Sequence, residues 1–117
     1  MSRTPKRKAS QDRYENSPVG RYRQLRHRAR AACIPITLTA ADLGLLLTAS
    51  GGKCHYCRAG LSPSGSGVDR LDPAKGYEMS NVVMACGTCN RAKGSLSVAE
   101  FRAWVGRVWR ALNRKGF

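Results

Sequence analysis

Residues 81–94, NVVMACGTCNRAKG, decide how this chain folds. The opening NVVMA is β-branched and apolar, which predicts a strand. Cys86 and Cys89 follow at a spacing of C-x-x-C, and GTCNRAK reads as a short helix closed by Gly94, the residue that most easily takes a helix C-terminal turn. Upstream, VDRL (68–71) reads as another short strand. DPAKGY (72–77) is turn chemistry, with Pro73 and Gly76 as breakers. Strand, loop, strand and helix make a ββα unit.

A second cysteine pair, Cys54 and Cys57 in KCHYC, precedes this unit, with 28 residues between the pairs. Two tight C-x-x-C turns bring four sulfurs together, as tetrahedral zinc requires, although the separation exceeds the common finger spacing. Redox dithiols and an iron–sulfur cluster are the alternatives, and zinc is the better match. Four thiolates leave no open position, so this ion is structural, a staple for a small core. Cys33 makes the count odd and is expected to be a small buried hydrophobe. His55 lies inside the first pair, where exchange for a cysteine ligand is the lesser alternative.

The flanks carry the charge. The 117 residues hold 21 Lys+Arg against 7 Asp+Glu, a net charge of +14. That surplus favours a polyanionic partner, nucleic acid foremost, because neutralised phosphates release their counterions. Residues 1–16 are polar, basic and aperiodic, and read as a disordered arm; residues 17–117 read as a single domain. Ser17 and Pro18 write a helix start, and Val19, Tyr22, Leu25, Ala29 and Cys33 share one side of that helix. Arg21, Arg23, Arg28 and Arg30 on the other side are candidate DNA-backbone contacts. Thr39 and Asp42 cap a second helix with Leu43, Leu46 and Leu47 as core candidates, ended by Gly51 and Gly52. Ser97 and Glu100 form the capping box of a last helix. Its apolar stripe of Val98, Phe101, Trp104 or Val105, Val108 and Leu112 reads as core, with Arg102, Arg107, Arg110 and Arg114 opposite. No stretch has the apolar run of a secretory signal or a membrane span, which points to a reducing, cytoplasmic setting and against disulfides.

Together, the two cysteine pairs, VDR, the Asn that opens the second strand and C-x-x-C-N-R-A-K-G resemble the HNH endonucleases, in the zinc-ribbon subset of phages and bacteria. The likeness covers roughly residues 54–94. It implies a small α+β fold in which a ββα-metal unit is stapled by a four-cysteine zinc site and flanked by basic helices. It also implies a phosphodiester hydrolase that nicks or cuts duplex DNA in a bacterial or phage-infected cell. A catalytic Mg²⁺ or Mn²⁺ would then sit on Asp69 and Asn90, both oxygen donors. By the same resemblance Asn81 ties the loop that orients the base. Arg91 and Lys93 close the motif, Lys93 with a phosphate or structural contact.

One position departs from the pattern. Where the family has a histidine base after the metal-ligand Asp, this chain has Arg70, and a guanidinium accepts no proton at ordinary pH. Arg70 is expected to clamp phosphate, or otherwise to pair with Asp72. His27, His55, Tyr77 and Glu78 are the remaining candidates for water activation. Strand alternation separates Asp69 from Arg70 and leaves Asp72 as a substitute ligand. Three readings follow: a DNA endonuclease, a DNA-binding zinc module without the base, and a scaffold within a larger complex such as a packaging machine. A monomer is expected.

Overall fold

The computed structural model describes residues 17–62 and 66–114. The basic arm read for residues 1–16 lies outside them. Helix α1 (Pro18–Ala31) starts as its sequence dictates: the Ser17 hydroxyl accepts the Gly20 N–H at 3.1 Å, and proline fills the first position. It buries Leu25 and Ala29 while Val19 stays about half exposed. Just past its end Cys33 takes a left-handed backbone (φ 57°) and faces solvent, so it is not the buried hydrophobe its position suggested. Helix α2 (Ala40–Ala49) opens with a reciprocal capping box. The Thr39 hydroxyl accepts the Asp42 N–H at 3.2 Å, and the Asp42 carboxylate accepts the Thr39 N–H at 3.0 Å.

Strand β1 (Ser66–Arg70) pairs antiparallel with β2 (Val82–Cys86), placing Val68 opposite Met84 and Asp69 opposite Val83. Leu25, Leu38 and Val82 form the centre of the core, with Tyr22, Ile36, Leu46, Val68 and Tyr77 packed round it. Truncating a buried leucine such as Leu25 to alanine costs about 2–5 kcal/mol. The loop between the strands is pinned by the segment after α1. Tyr77 N–H donates to the Pro35 carbonyl at 2.9 Å, and Thr37 N–H to the Tyr77 carbonyl at 3.0 Å. Gly76 must be glycine, since a Cβ there would collide with the Pro35 carbonyl oxygen.

Helix α3 (Gly87–Lys93) follows β2 without a gap and closes on Gly94, whose φ is 55°. Helix α4 (Val98–Leu112) starts with the expected capping box and is tied to the loop by a Val98 N–H bond to the Leu71 carbonyl. Its stripe departs from the expectation of a core face. Phe101 alone is buried, against Tyr56 in an edge-to-face contact with centroids 5.3 Å apart. Trp104, Val105, Val108, Trp109 and Leu112 are exposed, because past its first turns α4 runs beyond the elements that could bury that face among the described residues. The result is a small α+β fold: a two-stranded sheet, four helices and a cysteine cluster among the described residues.

Candidate functional site

The four cysteines converge. Their Sγ atoms all lie within 4.8 Å of one another, with Cys57 and Cys86 3.7 Å apart. Four sulfurs about 2.3 Å from a tetrahedral zinc stand roughly 3.8 Å apart, so the set fits that ion. Each pair is held as a turn that aims backbone N–H groups at sulfur: Tyr56 N–H at Cys54 Sγ and Cys89 N–H at Cys86 Sγ, both at 3.4 Å. Arg58 takes a left-handed backbone (φ 65°) as the first knuckle turns back, and His55 N–H donates to the Met84 carbonyl, docking that knuckle on β2. Burial by itself would raise the Cys54 thiol, but backbone N–H groups of Cys57, Cys86 and Tyr56 outweigh it and bring the thiol down to about 6. Cys89 moves the other way, its thiol raised by burial and by the sulfurs of Cys57, Cys86 and Cys54 beside it, so the cluster shares its protons unevenly; zinc binding requires the thiolate form. Cys54, Cys57, Cys86 and Cys89 would hold the ion, and His55, exposed, stands outside the sulfur set.

On the same unit a cavity of about 510 Å³ is lined by Asp69 and Asn90 and ringed by Arg28, Arg70, Arg91 and Lys93. Asp69, 5 % exposed, accepts the Tyr56 hydroxyl on one oxygen and faces the Lys93 ammonium at 3.4 Å. Lys93 is 1 % exposed and also donates to the Arg70 carbonyl at 2.8 Å, joining α3 to β1. Burial, the Asp69 hydrogen bond and the Asp69 charge all hold Tyr56 well above the ordinary phenol range, so it stays a donor. Oδ1 carries one contact, from Lys93, and a carboxylate oxygen can accept a second. The Asn90 side chain, one turn into α3, stands against Gly67, where an added Cβ would lie 3.4 Å from Nδ2. A carboxylate and an amide oxygen over one cavity are a donor set that fits a hard divalent cation.

The loop between the strands is braced from two sides. Asn81 is buried; its Oδ1 accepts the Asp72 N–H, and its Nδ2 donates to the Asp72 and Gly76 carbonyls, each at 3.0 Å. The amide thus ties the loop. Arg70 braces the other side, donating to the Pro73 carbonyl at 2.8 Å and the Lys75 carbonyl at 3.0 Å, with its guanidinium 5.2 Å over the Tyr77 ring.

Several expectations change on this geometry. Arg70 forms no ion pair with Asp72, whose carboxylate instead caps the turn at the Ala74 N–H. Asp72 does not line the cavity, so it is no substitute for Asp69. Lys93 is too deeply buried to be a surface phosphate contact, and its charge is spent on Asp69. Neither His27 nor His55 lines the cavity, and Glu78 is turned to Ser80; Tyr77 lines it beneath Arg70. Of the arginines singled out, Arg28, Arg70 and Arg91 reach the cavity. Arg21 shares the face of α1 with Arg28, two turns away, whereas Arg23 and Arg30 sit on the opposite face. Tyr56 escaped the sequence reading, since nothing in C-H-Y-C shows that its hydroxyl reaches a strand 13 residues on.

A ββα unit with four convergent cysteines at its edges, and with Asp and Asn over one cavity, is the fold of the HNH nucleases. No protein-family model matches the chain. Among solved structures it is similar to the rare-cutting HNH restriction endonuclease PacI, at 24 % identity and a TM-score of 0.63 over 86 % of this chain and 82 % of that one. It is also similar to the type II-C Cas9 enzyme of Actinomyces naeslundii, at 21 % identity and a TM-score of 0.52 over 86 % of this chain and 10 % of that one. Among curated proteins, the uncharacterized protein R423 of Acanthamoeba polyphaga mimivirus is 29 % identical over 89 residues; these are 76 % of this chain but only 16 % of that relative's length. No helix of the described residues is long and apolar enough to cross a membrane.

Proposed function

We propose that the protein is a metal-dependent HNH endonuclease that hydrolyses phosphodiester bonds in DNA. The observation that carries this reading is the single cavity in which Asp69 and Asn90 face Arg28 and Arg91, two metal-oxygen donors beside two phosphate-seeking cations. A divalent ion bound by Asp69 and Asn90, Mg²⁺ or Mn²⁺, supplies charge stabilisation to the scissile phosphate. The chain's own residues do the positioning. Tyr56 and Lys93 fix the Asp69 carboxylate, and the zinc cysteines fix the start of α3 and so Asn90. Asn81 and Arg70 hold the loop that walls the site. Arg28 and Arg91 neutralise the DNA backbone, with Arg21 beyond them along α1.

A second reading, a DNA-binding zinc module without catalysis, is favoured by one observation: no histidine lines the cavity among the described residues, and Arg70 takes no proton. Nicking of supercoiled plasmid separates the two. The purified protein is assayed with Mg²⁺, Mn²⁺ or EDTA, and beside Asn90→Ala. Metal-dependent open circles that the variant fails to produce support the nuclease. Salt-sensitive DNA binding with no conversion supports the binding module.

A further inference from the structure

Five large apolar side chains stand exposed on α4: Trp104 (39 %), Val105 (43 %), Val108 (36 %), Trp109 (64 %) and Leu112 (46 %). Single exposed hydrophobes are ordinary, whereas a contiguous row marks a contact surface. The row does not end at the helix. Beside the zinc knuckle it continues into a groove of about 340 Å³ walled by Tyr56, Cys57, Val98, Phe101 and Val105, with Arg102 at its edge. Val98, Phe101, Val105, Val108 and Leu112 repeat at alternating steps of three and four residues, the period of a helix–helix seam.

The occupant follows from what this chain lacks. Residues 1–16, MSRTPKRKASQDRYEN, contain no apolar row that would fill the seam. A second copy brings the same flanks: Ser97, Arg102, Trp104, Trp109 and Ala111 border the seam, with no acid among them to answer Arg102, and each copy carries +14. DNA is excluded by chemistry, since the cations of α4 at Arg107 and Arg110 lie away from the apolar row. We propose that the outer face of α4 and its groove dock an amphipathic helix with acidic flanks, belonging to another polypeptide. Its apolar side chains enter the seam and groove, and its carboxylates meet Arg102 and the positive field of the domain.

The chain contains two tryptophans, both on this face, so their fluorescence reports its occupancy. Zinc-loaded full-length protein is titrated with a three-heptad peptide carrying leucine on its seam and glutamate on its flanks. Two controls are the same peptide with lysine flanks and a scrambled glutamate peptide of equal composition. The expected result is a saturable blue shift with the glutamate peptide, and binding at least tenfold weaker with either control or with the Val108→Asp variant. Arg102→Glu is expected to weaken the glutamate peptide and strengthen the lysine one. An unmoved emission, or equal binding of the scrambled or lysine-flanked peptide, overturns the proposal. So does a shift that follows protein concentration alone with doubled sedimentation mass, which makes a second copy the occupant. A duplex DNA that shifts the emission and competes with the peptide overturns it as well.

Discussion

Lys93→Met isolates the most loaded contact in the site. Methionine keeps the volume of the lysine stem but removes an ammonium that is 1 % exposed, 3.4 Å from Asp69 and 2.8 Å from the Arg70 carbonyl. Removing one partner of a buried pair costs about 3–5 kcal/mol, because the other charge is left unpaired. Here the Tyr56 hydroxyl still donates to Asp69, which places the loss at the low end, about 3 kcal/mol. In a domain of this size each kcal/mol moves Tm by roughly 4–8 °C, so melting falls by roughly 12–24 °C. Urea titration of the zinc-loaded protein, followed by far-ultraviolet circular dichroism, measures the loss at constant slope. The pairing itself is read from a double-mutant cycle with Asp69→Asn, in which the double variant recovers about 2 kcal/mol against the sum of the singles. If Lys93→Met costs less than about 0.5 kcal/mol, or if the cycle is additive, the ammonium is not what holds the carboxylate, and the reasoning fails.

Three further outcomes follow from the same geometry. If the four cysteines hold a structural zinc, Cys89→Ser is expected to lose one bound zinc per chain and to leave the protein largely unfolded, since such an ion contributes about 10–16 kcal/mol against a net stability of about 5–15; elemental analysis and melting check this, and wild-type melting would refute the staple. Arg70→His removes two bonds to loop carbonyls and a cation–π contact, an expected loss of about 2 kcal/mol read from Tm, and unchanged melting would show that the guanidinium is no brace. Tyr56→Phe costs about 1–2 kcal/mol at neutral pH through its lost bond to Asp69. The folded Tyr56 holds its proton to higher pH than the unfolded phenol near 10, so its contribution is whole below about pH 10 and lost as pH rises through the folded value. Stability curves of the two proteins should therefore converge at alkaline pH, and parallel curves would count against the bond.

The ββα unit was legible because its signals are local. Cysteine spacing, the short VDRL run and the β-branched NVVMA, Pro73 and Gly76 in the turn and Gly94 at the helix end each act within a few residues. The three helix starts at Ser17, Thr39 and Ser97 were equally plain, since a cap is a contact over three residues. What escaped lay in contacts between distant segments. For Lys93 the sequence left a phosphate or a structural contact open, and for Arg70 a phosphate clamp or a pair with Asp72, because a cation in sequence carries no address; folded, one is buried on Asp69 and the other grips its own loop. Periodicity marked the α4 stripe correctly, but nothing in a stripe says whether other segments cover it, and among the described residues burial on this helix stops at Phe101.

Cys86 is at once the last residue of β2, the residue that caps α3 and one of the four sulfurs. Strand, helix and cysteine cluster therefore meet at one corner, and Asn90 stands four residues beyond it. Each residue added or removed between them would swing the amide about 100° around the helix, away from Asp69. This corner thus tolerates a changed side chain more readily than a changed spacing. Among divergent chains of this fold, the distance from the last strand to the asparagine should be the most conservative length in the molecule.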